Sequence, residues 1–176
     1  VPEFGRKIHV EASRMIQLVN DILQLSHLDS VSETHAQPDM ETVDLLDVAK
    51  DCVERQKLNA QRSFISLTYL GESARVLGNR DQRSSDLNDD ELCQNLCDNA
   101  IRYNRPGGKV QLITSCTRDG HCTLTVKDNG IGIPKDAQSS VFERFYRVDK
   151  SRSKATGGTG LGLAIVKHIA RIHNAR

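Results

Sequence analysis

The chain has 176 residues, 38% hydrophobic and 27% charged, which suits one substantial core plus a smaller element and is too apolar for a disordered segment. Its 24 basic and 23 acidic residues leave a formal charge of +1, so no global field draws it to nucleic acid or anionic lipid. The longest strongly apolar run, Leu161–Val166 broken by Gly162, is far short of a membrane span, and residues 1–20 mix charge with apolarity unlike a signal peptide.

In chain order, Ile8–Leu28 has the strongest periodicity. Ala12, Met15, Val19 and Ile22 form a helical stripe that Ile16, Leu23 and Leu28 widen, which predicts a helix packed in a bundle in preference to one lying on its own core. Asp29–Glu41, polar and holding Pro38, reads as a linker. Thr42–Leu45 predicts a short strand, Leu46–Gln61 a helix, Phe64–Leu70 a strand and Arg75–Leu77 another short one. After the polar stretch Arg80–Asp90 comes a helix over Glu91–Tyr103, then a turn at Arg105–Gly108. Strands Val110–Cys116 and Cys122–Lys127 join at Asp119-Gly120, a hairpin signal. Gly130–Pro134 reads as a stiff loop, Val141–Arg147 as one or two helical turns, Lys150–Gly160 as a flexible basic loop and Leu161–His173 as a closing helix. The order predicts an α+β fold, a mixed sheet covered by helices on one face. Val1 in place of Met reads as the start of a piece of something longer. The five cysteines, Cys52, Cys93, Cys97, Cys116 and Cys122, are odd in number and outside a small secreted framework; they predict free thiols in a reducing compartment.

Three stretches carry chemistry. On the Glu91–Tyr103 helix, Glu91, Asn95, Asn99 and Arg102 fall within a sector of roughly 80° at about 100° per residue. This polar wall holds a carboxylate, two amides and a guanidinium: an amide oxygen suits magnesium that already carries phosphate, and a guanidinium suits phosphate itself. Asp128, at the end of a strand with Leu124 and Val126 on its face, predicts a semi-buried carboxylate in need of a donor, such as an adenine amino group. Thr156-Gly-Gly-Thr-Gly-Leu-Gly-Leu163 runs into a helix, an arrangement in which backbone N–H groups crowd an anion. It matches neither a dinucleotide fingerprint nor a P-loop. Lys135–Lys154 adds six basic residues against three acidic, a plausible electrostatic cover for a triphosphate.

Glu91-Leu-Cys-Gln-Asn-Leu-Cys-Asp-Asn-Ala-Ile-Arg-Tyr103 resembles the N box of sensor histidine kinases. Asp128–Pro134 resembles their first glycine box, Phe142–Arg147 their F box and Gly157–Leu163 their second glycine box. The four motifs stand in the family's order, and Phe145–Ser153 is similar to the phosphate-regulon type. The resemblance covers the whole chain and extends to the wider superfamily of gyrase, heat-shock chaperone and mismatch-repair ATPases.

It implies a two-layer α/β sandwich, with a largely antiparallel mixed sheet, preceded by one long helix from a dimerisation hairpin. The implied division is residues 1–30 for the second hairpin helix, 31–41 for a linker, and 42–176 for an ATP-binding catalytic domain lacking its last strands. The implied cofactors are ATP and Mg2+. Asn95 would ligate magnesium with Asn99 beside it, Asp128 would hold the adenine amino group, and Tyr103 would pack near the ring. Glu91, Arg102 and Arg147 would be catalytic, as polariser or proton acceptor, phosphate contact and stabiliser of the transferring phosphoryl group. Gly130, Gly132, Ile133, Gly158, Thr159, Gly160, Leu161, Gly162 and Leu163 would shape the nucleotide site. The implied activity passes the γ-phosphoryl group to a histidine, then to an aspartate of a response regulator, in a homodimer on the cytoplasmic side of a bacterial inner membrane, with no nucleic acid involved. Other readings are an ATPase or serine kinase of the same superfamily, or a catalytically silent nucleotide-sensing module. The sequence departs from the family in two places. His9, His27, His35, His121, His168 and His173 all lie outside an acceptor motif, and Arg83–Asp89 lengthens the approach to the N box. This chain alone is therefore expected to lack an internal phosphate acceptor.

Overall fold

The computed structural model describes residues 2–34, 41–78, 89–148 and 158–175. Helix α1 (Pro2–Thr34) leads to strand β1 (Glu41–Asp44), helix α2 (Leu45–Arg62) and strands β2 (Ser66–Gly71) and β3 (Arg75–Gly78). Helix α3 (Asp89–Arg102), strands β4 (Lys109–Cys116) and β5 (Cys122–Asp128), and helix α4 (Gly162–Ile172) follow. The sheet expected from the strand order is divided. β1 and β3 form an antiparallel pair, while β2, β4 and β5 form a three-stranded sheet with β2 parallel and β5 antiparallel to β4. The parallel pairing follows from the long crossover between β2 and β4, which passes through β3 and α3.

The main core lies between this sheet and helices α2 and α3. Val48, Ala49, Cys52 and Val53 of α2 meet Cys93, Cys97, Ala100 and Ile101 of α3, over Val110 and Leu112 of β4. In β5 the period of two holds: Leu124 and Val126 pack inward and Thr123, Thr125 and Lys127 face out. A second cluster joins Leu25 of α1 to Leu161, Ile165 and Ile169 at α4, with Leu18 and Leu92 at its margin. What packs on α4 is a face beside the expected stripe, Leu18 and Leu25, whereas the stripe's Met15, Ile16, Val19, Ile22 and Leu23 remain exposed.

Asp44 fastens the β1–α2 junction. It caps α2 by accepting the Leu46 N–H at 2.9 Å and also takes the Ala74 N–H at 3.0 Å and the Ser73 hydroxyl, tying β3 to the helix start. The Ser73 hydrogen bond, then those from Leu46 and Ala74, hold its carboxyl below the usual carboxylate range. A depressed carboxyl contributes stability above its unfolded pKa and loses it as pH falls through the folded value. Asp44→Ala is expected to cost about 1–2 kcal/mol at neutral pH. The gap between variant and wild type should narrow below about pH 4; thermal melts across pH check this, and a gap constant to pH 2 overturns it.

Several expectations are corrected. The linker begins later than Asp29, because α1 continues through Thr34, and residues 35–40 lie outside the described set. Val141–Arg147 forms turns and bends with no helix, since Phe145 takes a left-handed φ of 62° and its N–H bonds to the Gly160 carbonyl instead of to the preceding turn. Cys116 and Cys122 are disulfide-bonded and not free: they are directly opposite in the β4–β5 register, a proximity that counting cysteines cannot reveal. Cys52, Cys93 and Cys97 are free and buried, as expected, and contact with Cys52 together with burial pushes the Cys93 and Cys97 thiols up. The lengthened approach at 83–88 and the basic loop at 149–157 lie outside the described residues.

Candidate functional site

The polar wall of α3 forms as its spacing predicts and faces the glycine-rich turn before α4. A Cβ placed on Gly162 would lie 2.9 Å from Asn95 Oδ1 and 3.9 Å from Asn99 Nδ2. One on Gly158 would lie 3.1 Å from Arg102 Nη1 and 3.6 Å from the Tyr103 hydroxyl. Glycine at both positions lets the turn come close to the polar side chains of the helix. Asn95 is held in place by its own Nδ2, which donates to the Glu91 carbonyl at 3.1 Å and leaves Oδ1 directed at the turn. Arg102 is shared: Nη2 pairs with Asp98 at 2.7 Å, one helical turn back, and Nη1 points toward Gly158.

The loop after β5 closes one end of the cleft. The Ile131 N–H donates to the Tyr103 carbonyl at 3.0 Å, stitching this loop to the end of α3. Gly130 sits so close that a Cβ there would collide with the same carbonyl. Asp128, paired in register with Val110, accepts the Gly130 N–H at 2.8 Å. Its carboxylate is exposed, not semi-buried: the strand ends at this residue, beyond the part of the face that Leu124 and Val126 bury against the core. Ile133 is also exposed, and Gly132 takes a left-handed φ of 72° that a residue with a Cβ adopts only under strain.

At the other end, the Phe145 N–H donates to Gly160 O at 2.9 Å, so the segment carrying Arg147 lies against the glycine-rich turn. Arg147 Nε and Nη2 are buried and make no hydrogen bond among the described residues. A buried guanidinium left this way is costly unless an anion completes it. Helix α4 adds to the pull: its N-cap is Leu161, which supplies no side-chain bond, and its first turn starts at Gly162 and Leu163. Uncapped N–H groups at a helix start favour negative charge. The cleft thus offers a polyphosphate two guanidiniums and a helix N-terminus, with an amide oxygen for a hard cation. Among the described residues no three His, Cys, Asp or Glu side chains gather as a metal cage.

Residues 90–176 match the model of the histidine kinase-, DNA gyrase B- and HSP90-like ATPases. The Mycobacterial sensor histidine kinase MprB, a solved structure, is 32% identical, with a TM-score of 0.62 over 77% of this chain and 80% of that one. This chain belongs to the sensor histidine kinases. It carries their ATP-binding catalytic domain. The sensor-like histidine kinase SenX3 of Mycolicibacterium smegmatis is 41% identical over 99% of this histidine kinase chain, which spans only 43% of that relative's length. The histidine kinase ThkA, solved in complex with the response regulator protein TrrA, shares the fold at 17% identity, with a TM-score of 0.68 over 98% of this chain and 45% of ThkA.

In this histidine kinase chain Asn95, Asn99 and Arg102 of α3, with Tyr103 just beyond it, stand against Gly158 and Gly162, and Gly130 stands against the Tyr103 carbonyl beside Asp128 at the end of β5. Gly158, Thr159 and Gly160 precede α4, Leu161 is its N-cap with its side chain buried in the second core cluster, and Gly162 and Leu163 open its first turn. Glu91 opens the same α3 face, half-buried and one turn before Asn95. Sequence reasoning missed Asp98, which shares Arg102, and Asn129, whose Oδ1 accepts the Lys109 N–H at 2.7 Å and anchors the loop to β4. It also missed Asp21, whose carboxylate reaches Thr159 from α1. The available signal was a pair of aspartates, Asp21 and Asp29, set around Leu25 at four-residue intervals in an otherwise apolar stripe.

Proposed function

We propose that this chain binds Mg-ATP in the cleft between α3 and the glycine-rich turn and presents its γ-phosphoryl group to a histidine outside these residues, from which a response-regulator aspartate receives it. The observation that carries this reading is the facing of Asn95, Asn99, Arg102 and Tyr103 toward Gly158 and Gly162, near the Arg147 guanidinium, whose buried Nε and Nη2 have no partner among the described residues. Bound Mg-ATP supplies the transferable phosphoryl group. Asp128 accepts the adenine amino protons, and Tyr103 lies against the ring. Asn95 Oδ1 serves the metal, Arg102 Nη1 and Arg147 neutralise phosphate oxygens, and the N–H groups at the start of α4 bind further oxygens. Glu91 is placed to accept or polarise the proton of the attacking imidazole. Catalysis of this kind rests on positioning and charge neutralisation.

We assign residues 1–30 to the second helix of a dimerisation hairpin and 42–176 to the catalytic domain, with the exposed stripe of Met15, Ile16, Val19, Ile22 and Leu23 as the face for a homodimer partner. The parent protein is placed at a membrane by segments outside this chain; among the described residues no helix is long and apolar enough to cross one.

Calorimetric titration of the chain with a non-hydrolysable ATP analogue is expected to show magnesium-dependent binding, and none from a folded sample overturns the reading. Incubated with ATP, the 176-residue chain is expected to gain no acid-labile phosphate, and a longer form carrying an acceptor helix to gain it. Stoichiometric acid-labile phosphate on the chain itself refutes the acceptor assignment.

A further inference from the structure

Asp21, Leu25 and Asp29 follow one another at four-residue intervals on α1, and all three contact the far end of the molecule. Leu25 is buried among Leu161, Ile165 and Ile169. Asp29 receives Arg144 Nη2 on its two oxygens at 2.7 and 2.8 Å, with His168 Nδ1 3.8 Å away. Asp21, only 7% exposed, accepts the Gln17 amide at 2.7 Å and the Thr159 hydroxyl at 2.6 Å, across 138 residues of chain. Thr159 stands between Gly158, which faces Arg102, and Gly160, which Phe145 approaches.

A carboxylate at this point runs against its surroundings. The start of α4, Arg102 and Arg147 invite an anion at this turn, with Asp98 drawing on one side of Arg102. Asp21 brings a negative charge to the same turn. A hydroxyl has one proton to donate, and Thr159 gives it to Asp21, so it is withdrawn from any phosphate oxygen. The desolvated carboxylate also repels a polyphosphate, the more strongly the more charge the ligand brings.

We propose that Asp21 is a specificity-determining residue of the nucleotide site. While α1 is docked, its charge on Thr159 lowers affinity in proportion to the number of phosphates, and so disfavours the nucleoside triphosphate relative to the diphosphate. This rests on the nucleotide reading above. Because coupling between two events is reciprocal, binding of the triphosphate loosens α1 by the same factor. The bundle helix and the phosphate turn therefore compete for one hydroxyl.

The test measures affinity of the chain, with magnesium, for adenosine, ADP and a non-hydrolysable ATP analogue, in wild type and Asp21→Asn. Asparagine keeps the shape: its Oδ1 can still accept the Thr159 proton, and its Nδ2 is met by Gln17 once that amide turns its oxygen inward, so the charge is the main thing removed. The expected result is a gain of about 3- to 10-fold for the ATP analogue, a smaller gain for ADP and none for adenosine. An equal change for all three ligands, or a loss confined to the triphosphate, overturns the proposal and leaves the nucleotide site standing. Failure of a folded wild-type chain to bind any of the three overturns both. If Asp21→Asn does not fold, Asp29→Asn releases the Arg144 clamp on the same docked helix. A smaller rise in the ATP-to-ADP affinity ratio is then expected, and an unchanged ratio is the overturning result.

Discussion

Asp128→Asn is expected to leave the chain folded and to weaken adenine-nucleotide binding on the order of 10- to 100-fold, the value of one hydrogen bond to a charged group plus the mismatch that replaces it. Asp128 is exposed at the end of β5, and the hydrogen bond found for its side chain, from the Gly130 N–H, is one an asparagine Oδ1 also accepts. That bond fixes the amide's orientation. With Oδ1 on Gly130, the Nδ2 donors face the position that a carboxylate offers to an amino group, and two donors then meet. Stability should stay within about 0.5 kcal/mol of wild type. The same geometry suits a ring carbonyl, so the variant should narrow the preference for adenine over guanine nucleotides. Calorimetry with both nucleotide types reads this directly, and unchanged affinity for the adenine nucleotide would remove Asp128 from the site.

Gly130→Ala is the second large effect, and it joins fold to site. The new Cβ would collide with the Tyr103 carbonyl oxygen and press at 3.0 Å on Asn104 Cα and Asp128 Oδ1. The loop cannot keep its Ile131–Tyr103 hydrogen bond without shifting, and overpacking of this kind costs about 1–3 kcal/mol. Because the shift moves Asp128 and Tyr103 apart, nucleotide affinity should fall as well, about 10-fold or more for a loss above 1.4 kcal/mol. Gly132→Ala is the contrast. Its Cβ enters open space, so the cost is the backbone strain of φ 72° alone, about 1 kcal/mol. Chemical denaturation of both variants separates collision from strain, and equal destabilisation by the two would show that the Tyr103 contact carries no weight.

The two effects depend on features of different legibility. The α3 wall was readable because a helix converts spacing into angle: Glu91, Asn95, Asn99 and Arg102 share a face whatever the rest of the chain does. The alternation in β5 was readable for the same reason, and so was the hairpin, whose turn at Gly120 takes a φ of 81°. The helix expected over Val141–Arg147 was misread. Its local pattern allows a turn or two of helix, and the Phe145–Gly160 hydrogen bond, fifteen residues apart in sequence order, prevails over that preference.

By itself, then, the sequence determined the periodic elements, the order of four motifs and the residue types of the cleft, since period and spacing are local properties of a chain. Only the tertiary structure decided what those motifs face. It set α3 against the glycine-rich turn, left two Arg147 nitrogens without partners among the described residues, joined Cys116 to Cys122 across the register, and brought Asp21 to Thr159. Each of these is a contact between segments far apart in sequence or on different strands. It is settled by which apolar faces must be buried together, here Leu25 on Ile165 and Ile169, and no local spacing encodes that choice.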